Sequence, residues 1–304
     1  MAKTARMDSG GGVGNGTRKT RIETLVGLLG DDSPAVLAGV GREIEASGRI
    51  ALPALRRGVR DRDARLRARA RKLLVAIERK RVYRRLLGFA TRKEVDLERG
   101  LLLMSRLDRE PFDKRPYVRA LDAMAERVKS RAAGEAGSFA QPMALAQYLG
   151  DELGFIGSEV DFDHPDNIYL HRAIERKRGM PLTLTAIYMS VARRAGFKVA
   201  PIALPGRVLL RLYLGKRTMM LDPFDGGRAR TRTDCIRYLS LHGLVPRPDW
   251  FRDTSDAALL QRHLLNLMQC FQVRGLTRDA RELHRIAVAM NPVHMVPAVE
   301  GVTR

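Results

Sequence analysis

The sequence predicts an α+β protein in three parts: α-helical repeats, a core of one helix and an antiparallel sheet, and a C-terminal helical hairpin. Three observations predict this. Residues 21–77 repeat themselves at a spacing of 30. A helical pattern opening at Pro181 leads into three strand-like runs separated by turn residues. Two apolar stripes at helical spacing, over 256–273 and 277–289, follow near the C-terminus.

In the repeat, Leu25, Val36, Val40 and Ile44 recur as Leu55, Leu66, Ala70 and Leu74, and Asp31 recurs as Asp61. Each unit reads as helix, short polar turn, helix. Ser33-Pro34 opens the second helix, with Ser at the N-cap and Pro at N1, where its missing N–H is harmless. The runs LLxDxxPxV from Leu28 and VRDxDxxLRxxA from Val59 resemble short HEAT-like repeats.

The formal charge is +21, and residues 56–93 hold sixteen Lys or Arg against three acidic residues. Arg65, Arg69 and Lys72, spaced by four and three, share one helical face and are the candidate anion-binding residues. The run also reads as a solvated face in an Arg-rich chain. Aromatics are scarce in it, so a stacking platform for single strands is not indicated.

No run of 18 uninterrupted apolar residues is present, so no membrane span is expected. Residues 1–18 are Gly-rich, lack the apolar core of a secretory signal and read as a flexible tail. Cys235 and Cys270 form no metal-type or redox-type pair, so a reduced, cytoplasmic setting is expected.

Further helices are expected over 95–107, 117–130 and 141–153, the last two joined by a loop at 134–137. The core helix starts at Pro181, continues through Leu184, Ile187, Tyr188, Val191 and Ala195, and stops at Gly196. Strands are expected over 199–204, 208–214 and 218–221. Thr277 reads as the N-cap of the last helix and Asn291-Pro292 as its end, with Trp250 anchoring the linker before the hairpin.

The residues Asn167, Tyr169, Leu170, Glu175, Arg176, Arg178, Gly179, Pro181 and Thr183 form the pattern N-x-Y-L-x(4)-E-R-x-R-G-x-P-x-T-L. V-A-R-R-x-G follows, then L-P-G with Pro205 and Gly206, then D-P-F-x-G-G with Asp222, Pro223, Phe224 and Gly227. This resembles the SirB-type transglutaminase-like proteins, which often carry C-terminal tetratricopeptide repeats. The resemblance covers 98–239, including the run LDAMAERVK at 121–129. It implies a division into a tail (1–18), HEAT-like repeats (19–93), a transglutaminase-like domain (94–245) and a tetratricopeptide-like hairpin with its tail (246–304).

The resemblance also implies a papain-like arrangement. A cysteine opens the helix, a histidine on the next strand acts as base, and an aspartate orients the histidine. Pro181 holds the cysteine position, Arg207 the histidine position and Asp222 the aspartate position. Relatives usually show PGH where this chain has Pro205-Gly206-Arg207. Proline carries no nucleophile, and a guanidinium stays protonated, so it is no general base. No catalytic residue is therefore assigned; Thr183, with Thr185 beside it, is the remaining hydroxyl near the helix start. Arg207 is expected to pair with Asp222 or a neighbouring carboxylate.

Three functions follow as expectations. The first is a non-catalytic interaction or regulatory protein with protein partners. The second is an acyl-transfer or peptide-hydrolysing enzyme with an unusual nucleophile; Cys235 meeting His171 at the cleft would favour it. The third is binding of nucleic acid or another polyanion through residues 56–93. No cofactor or metal is expected, because no His, Cys, Asp or Glu cluster has ligand spacing. Asp161-x-Asp163-x-x-Asp166 lacks the glycine and closing glutamate of a calcium loop.

Overall fold

The computed structural model describes residues 13–290 except 109, 110, 135, 136, 138, 160, 161 and 163. The tail through residue 12, part of the expected loop at 134–137, Asp161, Asp163 and the stop at Asn291-Pro292 lie outside the described residues. The chain divides into two compact units, Met1–Val82 and Tyr83–Arg304.

The first unit contains α1 (Val13–Gly27), α2 (Pro34–Ser47), α3 (Leu52–Gly58) and most of α4 (Ala64–Ala90). Helix α1 begins inside the stretch expected to be a tail. Ser33 caps α2 by accepting from the Val36 amide, with Pro34 at N1. The repeat positions Val40, Ile44, Leu55, Leu66 and Ala70 meet Ile22, Val26 and Leu29 in one apolar core.

The second unit joins helices to a small sheet. Its helices are α5 (Leu97–Met104), α6 (Arg115–Gly134), α7 (Ala140–Ala146), α8 (Leu170–Arg176), α9 (Pro181–Arg194), α10 (Arg232–Leu241), α11 (Asp256–Val273) and α12 (Thr277–Ala289). Helix α7 passes directly into a π-helical turn at Gln147–Glu152. Among the described residues, β1 (Ile156–Gly157) pairs in parallel with β2 (Arg178–Gly179). Strands β3 (Val199–Leu204), β4 (Arg207–Leu214), β5 (Arg217–Asp222) and β6 (Arg228–Arg230) form an antiparallel meander. The architecture is α+β, as the periodicities predict.

Leu204 pairs with Arg207, so only Pro205 and Gly206 turn the β3–β4 hairpin. Gly206 takes φ 72°, which a residue with a Cβ adopts at a cost. Helix α9 starts with Pro181 at N1, and all residues from Pro181 to Ala192 are buried. It is therefore a core helix on every side rather than an amphipathic one. The segment before α11 runs beside β3: Ile202 bridges to Asp253, and the Thr254 amide donates to the Pro201 carbonyl at 2.8 Å. Trp250 and Phe251 pack there against Ile202, Leu204, Leu209, Cys235 and Leu239.

The hairpin α11–α12 buries Leu260, Leu264, Leu267 and Phe271 with Leu283 and Ile286. Thr277 is not the cap of α12. Leu276 holds that position, and the Thr277 hydroxyl donates to the Gly275 carbonyl at 3.4 Å. Thr277 already has helical backbone at N1, so its oxygen is not placed to accept from the next turn.

Candidate functional site

Side-chain alternation builds the site. The registers Leu204↔Arg207, Met220↔Arg230 and Asp222↔Arg228 place Leu204, Arg207, Leu209, Asp222 and Arg230 on one face of the sheet. Helix α10 crosses that face, fixed at its start by a capping box between Thr231 and Asp234. Between them lies a cavity of about 240 Å³, to which Cys235, Arg237 and Tyr238 contribute from α10.

Arg207 stands in this cavity with its guanidinium over the Phe224 ring at 4.4 Å and over the Tyr238 ring at 5.4 Å. Its Nη1 is buried and has no hydrogen-bond partner. The expected ion pair with Asp222 is not formed. Asp222 instead meets the Arg230 Nε at 3.6 Å and accepts from the Phe224 amide at 3.1 Å, capping the turn Pro223–Asp225. The two aromatic rings hold Arg207 back, so it reaches Asp222 only by through-space attraction. Burial pushes the Asp222 carboxyl above its ordinary value, while Arg207 and Arg230 pull it the other way.

Cys235 lines the cavity as a buried thiol. Burial, reinforced by Asp222 and Asp234, pushes it up to about 11, which keeps it protonated and unreactive at neutral pH. His171 lies elsewhere. It is fully buried, 2.9 Å from the Asp108 carboxylate, among Phe112, Tyr117 and Tyr169. Cys235 and His171 are thus not brought together.

Pro181 is buried at the start of α9 and forms no part of the cavity lining. The Thr183 hydroxyl donates to the Ile168 carbonyl at 3.3 Å, and that of Thr185 to the Val208 carbonyl at 2.7 Å. Both threonines are 0% exposed. Of the three triad-like positions, the structure brings Arg207 and Asp222 together and leaves Pro181 apart.

The remaining motif residues tie loops to helices. Asn167 is fully buried; its Oδ1 accepts from the Arg176 guanidinium, and its carbonyl accepts from the Met180 amide at the start of α9. Glu175 accepts from the Tyr117 hydroxyl at 2.5 Å, and Arg178 donates to the Gly157 carbonyl at 3.4 Å. Tyr169, Leu170, Gly179, Pro205 and Pro223 are buried. The Phe224 ring fills the space over Gly157, where a Cβ would lie 2.4 Å from it. Gly227, at φ 83°, backs onto Ala146 and Tyr188.

In the first unit, Arg69 donates from Nη1 to the carbonyls of Leu29 and Asp31, at 2.7 and 2.6 Å. Arg65 pairs with Asp32, and Lys72 is exposed. The basic face is therefore partly a structural brace for the turn after α1. Among the described residues, no group of three His, Cys, Asp or Glu side chains is placed to hold a metal ion. Among the described residues, no helix is long and apolar enough to cross a membrane.

Sequence reasoning reached Arg207 and Asp222 and named Cys235 as a thiol that could meet the cleft, but missed Arg230 and Tyr238. The Thr231-x-x-Asp234 capping signal was readable and would have located α10. Nothing in the linear pattern assigned that helix to this face of the sheet.

Residues 115–265 match the transglutaminase-like superfamily, and the second unit carries a domain of that class. Among its relatives is a UPF0162 protein of Xylella fastidiosa, 31% identical over 42% of this chain and 45% of the relative. A UPF0162 protein of Pseudomonas aeruginosa is 27% identical over 58% of this chain and 65% of the relative. F-box only protein 21 of Mus musculus is 34% identical over 49% of this chain and 25% of the relative. The chain thus spans less than half the length of the Xylella relative. No solved structure matches it.

Proposed function

We propose that this is a non-catalytic interaction or regulatory protein built on a degenerate, SirB-type transglutaminase-like scaffold. One observation carries this reading: the base position holds Arg207, fixed between Phe224 and Tyr238, while the nucleophile position holds Pro181. A guanidinium accepts no proton, and a proline attacks no carbonyl. The unreactive Cys235 thiol and the backbone-bound hydroxyls of Thr183 and Thr185 support the same reading. The HEAT-like repeats of the first unit and the tetratricopeptide-like hairpin α11–α12 fit the recognition of a protein partner in the cytoplasm. The similarity to a protein named for an F-box is in keeping with that role.

The test is chemical labelling of the full chain with thiol-reactive and hydroxyl-reactive acylating probes, read by mass spectrometry. No modification of Thr183, Thr185 or Cys235 in the folded protein is expected. Stoichiometric acylation at any of the three, abolished by unfolding, would sink the reading.

A further inference from the structure

We propose that the cavity under α10 is a binding site for a small monoanionic carboxylate, with Arg207 as the residue that recognises it. The argument begins with what Arg207 lacks. Among the described residues no carboxylate forms an ion pair with it, and its Nη1 is buried without a hydrogen-bond partner. A buried charged donor left unpaired is costly, so an acceptor placed there relieves a standing penalty. The Phe224 and Tyr238 rings lie against the guanidinium, Tyr238 also meets it through a side-chain hydrogen bond, and the edge at Nη1 is left for a further acceptor. That edge is a planar fork matched to two oxygens in one plane.

The neighbouring acids do not fill this role. Asp222 is engaged by the Phe224 amide and by Arg230, and Asp234 accepts from the Thr231 amide and hydroxyl. Arg230 is itself held by Asp225 and Asp222. Arg207, Arg230 and Arg237 line the cavity with Asp222 and Asp234, and Asp225 holds Arg230 from beside it. The single guanidinium of Arg207, with its unpartnered Nη1, suits one negative charge. Asp222 is buried in the same wall and repels a second, which disfavours a phosphate dianion.

Size and lining describe the rest of the ligand. A volume of about 240 Å³ equals about eight waters at roughly 30 Å³ each, so it admits a small organic group rather than a chain. Leu204, Leu209 and Leu241 contribute apolar walls, and Leu241 is 79% exposed at the rim. The ligand is then a carboxylate on a short apolar group, either a free acid or the C-terminal residue of a peptide. This holds whether or not the protein is catalytic: acylation of Thr183, Thr185 or Cys235 would overturn the non-catalytic reading and leave this one standing.

The chain provides its own reporter. Its single tryptophan, Trp250, packs on the cluster that contains Leu204, Leu209 and Cys235. The experiment titrates the full chain with 3-phenylpropionate, with its amide, with N-acetyl-Gly-Leu bearing a free C-terminus, with the same peptide amidated, and with inorganic phosphate. Trp250 fluorescence and calorimetry are read together. Saturable binding of at least one carboxylate, and none of its amide, is expected. Preference for phenylpropionate identifies a free acid as the source, and preference for the peptide identifies a C-terminus. Arg207→Gln should weaken binding at least tenfold. Arg207→Lys keeps the charge but loses the fork, and should weaken it by an intermediate factor at unchanged melting temperature. Equal binding of acid and amide, tighter binding of phosphate, no binding of either acid, or full affinity in Arg207→Lys would overturn the proposal.

Discussion

Gly150 and Gly226 touch through their backbones. A Cβ added to Gly150 would lie 1.8 Å from the Gly226 carbonyl oxygen. The π-helical turn thereby lies directly against the loop that carries Asp222 and Phe224. Replacing an exposed helical glycine by alanine ordinarily stabilises by up to about 1 kcal/mol. Gly150→Ala should do the reverse, because backbone on one side or the other must move. A loss of about 1–3 kcal/mol is expected from overpacking. Denaturant unfolding of the two proteins compares them, and a stabilised variant would contradict the contact.

Asp222 tests whether the loop needs a charge or only a cap. Its carboxyl is raised by burial, so the ionised form is disfavoured in the fold. Asp222→Asn keeps an oxygen for the Phe224 amide and removes that unfavourable charge. It should change stability at pH 7 by less than about 1 kcal/mol, whereas Asp222→Ala should cost about 1–2 kcal/mol through the lost cap. The difference is read by thermal unfolding, and equal losses in both variants would refute it.

His263 should make the protein acid-sensitive. It is fully buried, and its Nδ1–H donates to the Leu259 carbonyl at 3.0 Å, which leaves Nε2 as an acceptor without a partner. Burial, with Arg262 adding repulsion, lowers its pKa from 6.5 to about 4. The unfolded chain therefore binds the proton first as pH falls. The stabilising contribution is full above about 6.5 and is lost between there and about 4. The loss amounts to about 3 kcal/mol at roughly 1.4 kcal/mol per pH unit. His263→Leu should flatten that part of the stability–pH curve; an unchanged slope would show the loss arises elsewhere.

Arg69 should behave as a structural residue. Arg69→Gln removes a charged donor from the Leu29 and Asp31 carbonyls, at an expected cost of about 1–3 kcal/mol. Arg65→Gln removes one exposed ion pair and should cost less than about 1 kcal/mol. Hydrogen exchange at α2 and α4 amides in the full chain separates the two. Equal protection in both variants would return Arg69 to the solvated face.

Much of this fold is legible in the sequence, where punctuation and periodicity agree. Pro181 opens α9 at N1, and Gly196, at φ 83°, follows its end. The three long strands carry their own turn residues, Gly206 and Gly215. The short pieces are not legible. Strands β1, β2 and β6 have two or three residues, too few to show alternation, and exist because neighbours supply their partners. The π-helical turn has no compositional mark. The site follows the same division. Arg207 and Asp222 are reached by resemblance to a motif. Arg230 and Tyr238 join them through register and helix placement, which are tertiary facts.

The bridge from Ile202 to Asp253, with the Thr254 amide on the Pro201 carbonyl, occupies hydrogen-bonding groups along the outer side of β3. At the other end of the sheet, β6 offers only three residues. An unpaired strand is a template for adding a strand from another molecule, and both ends of this sheet are blunted against that. Self-association through a continuous intermolecular sheet is thereby disfavoured even though β4 is strongly apolar.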